Sequence, residues 1–167
     1  SIGAWAFAET SSLSTVTNNS AVLMTIGDQA FYRSMITSFT IGETVESIGA
    51  YAFASNSALT SVTNNSTALK SIGNYAFMST SITSFELNEG LETIGEQAFR
   101  NTKIGEIELP SSLTSVGDSI FYGNATNVTV PFAEGELPAG WSSSWNSSNT
   151  GVVTYAPASV EEGGEAA

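Results

Sequence analysis

The chain has 167 residues, of which 41% are hydrophobic and only 12% charged, with 16 acids against 4 bases and a net charge of −12. That balance argues against nucleic acid, whose affinity rests on Lys and Arg, and against an anionic membrane surface. The absence of Cys and His removes disulfides, thiol nucleophiles, the usual zinc ligands and the commonest general base.

A short box recurs along the chain. Ile2-Gly3-x-x-Ala6-Phe7 returns as Ile26-Gly27-x-x-Ala30-Phe31 and again from Ile48 to Phe53, Ile72 to Phe77 and Ile94 to Phe99. A sixth, degenerate copy reads Val116-Gly117-x-x-Ile120-Phe121. The box glycines are spaced by 24, 22, 24, 22 and 22 residues. Between boxes lies an apolar-x-x-apolar-x-apolar segment, as in Ile36-x-x-Phe39-x-Ile41, Ile82-x-x-Phe85-x-Leu87 and Ile104-x-x-Ile107-x-Leu109. Its closing alternation has the period of a strand. One such unit cannot bury its own apolar face, whereas stacked units can.

Stacking sets expectations for each column. Phe7, Phe31, Phe53, Phe77, Phe99 and Phe121 should form the structural core. The box glycines should supply either a positive φ or a tight approach into a helical turn, and the box alanines should be small because the next coil lies against them. Trp5, Tyr51 and Tyr75 should pack along the outside. Asn18 and Asn64 fall in the inward slot of Ile41, Leu87 and Leu109. There they should pin the wider turn of the 24-residue repeats, Asn18-Asn19-Ser20 and Asn64-Asn65-Ser66. Those triplets, with Asn65-Ser-Thr67, Asn124-Ala-Thr126, Asn127-Val-Thr129 and Asn146-Ser-Ser148, also fit a glycosylation acceptor. The residues alternating with the apolar ones should face out as two ladders. One runs Thr15, Ser38, Ser61, Ser84, Glu106; the other runs Thr17, Thr40, Thr63, Glu86, Glu108, Thr129.

After Phe121 the pattern decays. Asn127-Val-Thr-Val130 reads as a last strand, Trp141 and Trp145 as a cap or a sugar-stacking platform, and the acidic residues 157–167 as a linker or disordered tail. Opening inside a repeat, at Ser1-Ile2-Gly3, the sequence reads as a piece of a longer protein whose targeting signals lie elsewhere.

The Ile-Gly-x-x-Ala-Phe box, followed by Leu-x-x-Val/Ile-x-Ile/Leu-Pro, resembles the BspA-like (Treponema pallidum-type) leucine-rich repeat. The resemblance implies a right-handed curved leucine-rich-repeat solenoid, α/β or mostly β, with a parallel sheet of short strands. On that reading residues 1–131 are the array, 132–156 a C-terminal cap and 157–167 the tail. It also implies an extracellular or cell-surface location and a non-catalytic role, since members are mostly secreted or surface proteins of bacteria, with relatives in some protozoan parasites. One departure stands out: the Cys that often follows Ala-Phe is replaced here by Ser, Thr or Asn, as at Ser34.

The expected function is a binding or adhesion module, with a protein or glycan at a host or cell surface as partner. The expected site is the sheet face: Thr17, Thr40, Ser61, Thr63, Ser84, Glu86, Glu106 and Glu108. A structural spacer displaying another domain is the alternative. Neither a Ca²⁺ cage nor a glycosidase acid pair is supported by a motif at the glutamates, which Glu89 and Glu92 adjoin. We expect no enzyme activity, no cofactor or metal, no nucleic-acid partner, no membrane insertion and a monomer.

Overall fold

The computed structural model describes residues 1–18 and 20–158. Asn19 and most of the expected acidic tail fall outside them. The chain is a β-solenoid of stacked parallel coils, and no helix occurs among the described residues. Its strands are β1 (Thr25–Ile26), β2 (Ser38–Ile41), β3 (Ser47–Ile48), β4 (Ser61–Asn64), β5 (Ser71–Ile72) and β6 (Thr93–Ile94). They continue as β7 (Glu106–Glu108), β8 (Ser115–Val116), β9 (Asn127–Val130), β10 (Gly140–Trp141) and β11 (Val153–Tyr155).

The longest ladder is one the apolar alternation does not announce. The box isoleucine of each coil pairs with the next, giving a six-stranded parallel sheet in the order β1-β3-β5-β6-β8-β10. Ile26, Ile48, Ile72, Ile94 and Val116 stand in register, and Ile2 bridges to Ile26. The apolar-x-x-apolar-x-apolar segments form the opposite side. There the ladder is in two pieces, β2-β4 and β7-β9-β11. The expected strand at Ile82–Leu87 is absent, although Phe85 still points into the core. A physical reason is visible: the Asn64 side-chain amide donates to the Glu86 carbonyl at 3.0 Å, taking an acceptor a strand neighbour would use.

Between box and strand segment the chain makes successive four-residue turns. Counting the box isoleucine as position 0, the N–H of position 4 donates to the carbonyl of position 1, as Ala30 does to Gly27 at 3.2 Å. The residue at position 3 has φ near +55°, as at Gln29 and Tyr51, which marks a type II turn. Position 7 repeats the conformation at Arg33, Ser55, Ser79 and Asn101. The box glycines therefore do not supply the positive φ. They are needed for close approach, because a Cβ on Gly73 would lie 2.6 Å from the Ala50 nitrogen and 2.7 Å from the Gly49 carbonyl carbon.

The core is the phenylalanine column. Phe31, Phe53, Phe77, Phe99 and Phe121 are fully buried. Neighbouring rings stack 5.2 Å apart from Phe31 to Phe53 and from Phe53 to Phe77. Phe39 and Phe85 tilt against that column at about 5 Å. Phe7 departs from its expected place: it stacks on Phe31 at 5.2 Å, but it is 36% exposed. No coil covers its outer face among the described residues.

A second column escaped the sequence reading. Position 8 holds Ser34, Asn56, Thr80, Thr102 and Asn124, all buried. Asn56 donates to the carbonyls of Phe31 and Phe53 at 2.6 and 2.7 Å and accepts from the Ser34 hydroxyl at 2.7 Å. Asn124 donates to the Phe99 carbonyl and the Thr102 hydroxyl and accepts from the Thr102 N–H. Every buried polar group in this column thus meets a partner, as burial demands. Burial also removes Asn64 and Asn124 as accessible glycan acceptors.

The wide turns are pinned as expected. Asn64 stands in register with Ile41 and accepts from the Ser66 N–H at 3.1 Å. Asn18 accepts from the Ser20 N–H at 3.0 Å, but it is only half-buried, in the first coil. Residues 132–156 make one more turn of the stack. Trp141 stands in register with Val116, and Trp145, four residues on, takes the alanine slot. The two buried indoles meet edge to face at 5.4 Å.

Candidate functional site

All eight residues expected on the sheet face are exposed, and the apolar residues alternating with them point inward. The strands hold the ladders in register: Ser38 beside Ser61, Thr40 beside Thr63, Glu106 beside Asn127 and Glu108 beside Thr129. The eight do not form one site. Ser84, Glu86, Glu106 and Glu108 line a shallow concavity of about 610 Å³ together with Asn88, Asn127, Thr129 and Thr154. Thr17, Thr40, Ser61 and Thr63 lie outside it, along the hydroxyl-rich coils. Asn127 and Thr154 were missed, although each carries on its ladder by one coil.

The acidic end is smaller than the sequence suggests. Glu92 pairs with Lys70 at 3.0 Å. Glu89 accepts from the Ser111 N–H and hydroxyl at 3.0 and 3.1 Å, and the backbone bond first of all holds its carboxyl below the usual range. Three glutamates, Glu86, Glu106 and Glu108, therefore remain facing the concavity. No group of three or more acidic side chains among the described residues is placed to hold a metal ion.

A second groove of about 600 Å³ runs over the six-stranded sheet along Gly73, Gly95 and Gly117. Four of its polar side chains, Asn74, Glu96, Asp118 and Ser142, are engaged in holding coil to coil. Asn74 accepts from the Glu96 N–H at 2.9 Å. Asp118 accepts from the Ser142 and Ser144 hydroxyls, in that order the cause of its lowered pKa. Glu96 accepts from the Tyr75 hydroxyl at 2.6 Å. The sheet face, whose side chains have fewer such ties, is the better candidate.

Tyr75 belongs to the outer aromatic column. It stacks on Tyr51 at 4.8 Å, whereas Trp5 is 55% exposed and touches only the edge of Tyr32. The bond to Glu96, then burial, then the Glu96 charge raise the Tyr75 phenol to about 12. An absorbance titration should show a tyrosine component ionising near 12, and Glu96→Gln should bring it back toward 10. The sign follows from linkage: the folded-state pKa is raised, so this stabilisation is complete below pH 10 and is lost as pH rises toward 12. A titration that Glu96→Gln leaves unchanged would refute the assignment.

Stacked coils, an isoleucine sheet, a phenylalanine column and exposed polar ladders define a leucine-rich-repeat solenoid. The profile of the BspA type leucine rich repeat region matches six copies, over residues 1–72 and 70–135. The chain belongs to that family. Among solved structures, it resembles a leucine-rich repeat protein from Bacteroides ovatus, with 26% identity and a TM-score of 0.56 over 92% of this chain. The match spans 46% of that protein, so this chain covers less than half its length. No curated protein matches the sequence. Repeats of this family commonly mediate protein interaction, and the fold is generally non-catalytic.

Proposed function

We propose that the chain is a non-catalytic adhesion or binding module of a secreted or surface-anchored bacterial protein, and that its sheet face takes a protein or glycan ligand. The supporting observation is the pair of exposed ladders in register, widening into a concavity at Ser84, Glu86, Glu106 and Glu108. An open face of hydroxyls and carboxylates on a stiff backbone presents many hydrogen-bonding groups already positioned, which lowers the ordering cost of binding. The family's common occurrence at bacterial surfaces agrees with this reading.

The test is an array of glycans and matrix proteins, followed by Thr63→Ala with Glu86→Ala on any ligand found. Binding should weaken at least about tenfold, or 1.4 kcal/mol. Unchanged binding places the ligand elsewhere. If no ligand binds at all, the sheet-face reading is overturned and a spacer that displays another domain stands in its place.

A further inference from the structure

The strand segment of the fourth coil, residues 83–87, differs from those of the coils on either side of it. Its side chains alternate as theirs do, and the Phe85 ring is buried, 5.0 Å from Phe77 and 5.5 Å from Phe99. Its backbone, however, is nearly unbonded. None of the N–H groups from Thr83 to Leu87 has an acceptor among the described residues. Their carbonyls take one backbone donor, the Gly105 N–H on Thr83 at 3.4 Å. The gap is internal to the array: β4 lies before it and β7 after it. On the opposite side of the same coils the box sheet runs through unbroken, with Ile48, Ile72 and Ile94 in register.

Two side chains bridge the gap, and both lead back to the third coil. The Asn64 amide donates to the Glu86 carbonyl at 3.0 Å, and the Asn88 amide donates to the Ser66 carbonyl at 2.6 Å. The segment is therefore latched to the coil before it and nearly free of the strand after it. The free side opens on the concavity, where Ser84 and Glu86 lie one coil from Glu106 and Glu108. Water there satisfies the unpaired backbone groups. A segment whose backbone bonds are open to solvent belongs to the least stable part of a fold.

We propose that residues 83–87 are a movable wall of the concavity. The wall shifts along the stack, with Phe85 as its tether to the core, and in its closed position it pairs with β7. Closing exchanges bonds to water for bonds to a strand, so little net free energy separates the two positions. Asn64 is the latch, because its amide holds Glu86 toward the third coil. The concavity thus has two widths, and the motion needs no ligand.

The chain has no Cys, so two introduced thiols report a single contact. Glu86→Cys with Glu108→Cys puts them on adjacent coils of one outward ladder. A disulfide needs Cα atoms about 4.4–6.8 Å apart, which the closed wall meets at a strand spacing of about 4.8 Å. Amide exchange by NMR reads the wall. In the wild type and in the reduced pair, residues 84–87 should lose their amide protons at close to the open-chain rate. Gly73, Gly95 and Val128, whose N–H groups bond across coils at 2.8 Å, should stay protected. Oxidation should join the pair and slow exchange within residues 84–87. Asn64→Asp keeps the acceptor for the Ser66 N–H and removes the donor to Glu86, so it should speed that oxidation. Wild-type amides at 84–87 as protected as Val128 overturn the proposal, since the ladder is then already closed. So does a pair that stays reduced where Thr40→Cys with Thr63→Cys, in register, oxidises. A disulfide that leaves exchange unchanged overturns it too, and oxidation that Asn64→Asp does not speed removes the latch. If the first pair loses its circular dichroism, Ser84→Cys with Glu106→Cys replaces it and the same readouts decide.

Discussion

Phe77→Ala is expected to destabilise the chain by about 3–5 kcal/mol, the cost of truncating a buried phenylalanine and leaving a cavity behind. Phe77 is fully buried and lies between Phe53 at 5.2 Å and Phe99 at 5.4 Å, with Phe85 against it at 5.0 Å. The coils cannot close the hole, because the cross-coil bonds on either side fix their spacing. Phe77 donates to Ala98 at 2.8 Å and Phe53 to Ala76 at 2.8 Å. Stability in a stacked array is the sum of each unit and its contact with its neighbours. A lesion in a middle coil therefore weakens two contacts at once. Urea unfolding should separate into two transitions. With Trp5 replaced by Phe, Trp141 and Trp145 report the last coil by fluorescence, and circular dichroism reports the whole chain. Phe7→Ala, at a half-exposed ring, should cost far less. Equal losses for Phe7 and Phe77 would contradict a column closed on both sides only in its interior.

Asn56→Ala is expected to cost roughly 3 kcal/mol or more. The side chain is fully buried and satisfies three groups at once, the Phe31 carbonyl, the Phe53 carbonyl and the Ser34 hydroxyl. The Phe31 carbonyl would keep the Ser34 N–H at 3.2 Å, whereas the Phe53 carbonyl and the Ser34 hydroxyl would lose their partner, and each group left buried without one costs about 1–3 kcal/mol. Asn56→Thr should recover part of the loss. In the neighbouring coil, Thr80 keeps a hydroxyl bond to its own Phe77 carbonyl at 2.9 Å but reaches no other coil by its side chain. The order wild type, Thr, Ala in denaturation midpoint checks this, and a Thr variant as stable as wild type would show that the cross-coil bonds contribute nothing.

The columns of the core and the outward ladders were legible in the sequence because period alone places them. Once Ile-Gly-x-x-Ala-Phe recurs in register, Phe53 must lie beside Phe77 and Thr40 beside Thr63. What escaped notice is carried by residues whose identity changes from coil to coil. Position 8 is Ser, Asn or Thr, which read as loop residues until burial shows them lining the interior. The turns were hidden for a similar reason. Positive φ is usually announced by Gly or Asn, but here Trp5, Gln29, Arg33 and Tyr51 adopt it. Cross-coil backbone bonds offset a local strain of about 1–2 kcal/mol per residue. The six-stranded sheet did leave a trace in the Ser or Thr before each box isoleucine, as at Ser47, Ser71 and Thr93. Two-residue strands are too short for alternation to expose them. For the candidate site, the ladders were predictable but their curvature was not. Only the fold shows that Glu86, Glu106 and Glu108 share a concavity with Asn127 while Glu89 turns away to Ser111.

The turns have an electrical consequence. The carbonyl of position 2 and the N–H of position 3 belong to one peptide unit, as do those of positions 4 and 5 and of positions 6 and 7. In every coil from the first to the fifth, these three units donate toward the next coil and accept from the one before, where there is one. Each peptide carries a dipole of about 3.5 D. Aligned along the stack, they add as they do in an α-helix, though here a separate turn supplies each layer. The turn peptides thus contribute an axial dipole, positive toward the last coil and negative toward the first. The sheet-face carboxylates are distributed to suit: Thr17, Thr40 and Thr63 occupy the early coils, and Glu86, Glu106 and Glu108 the later ones, nearer the positive pole.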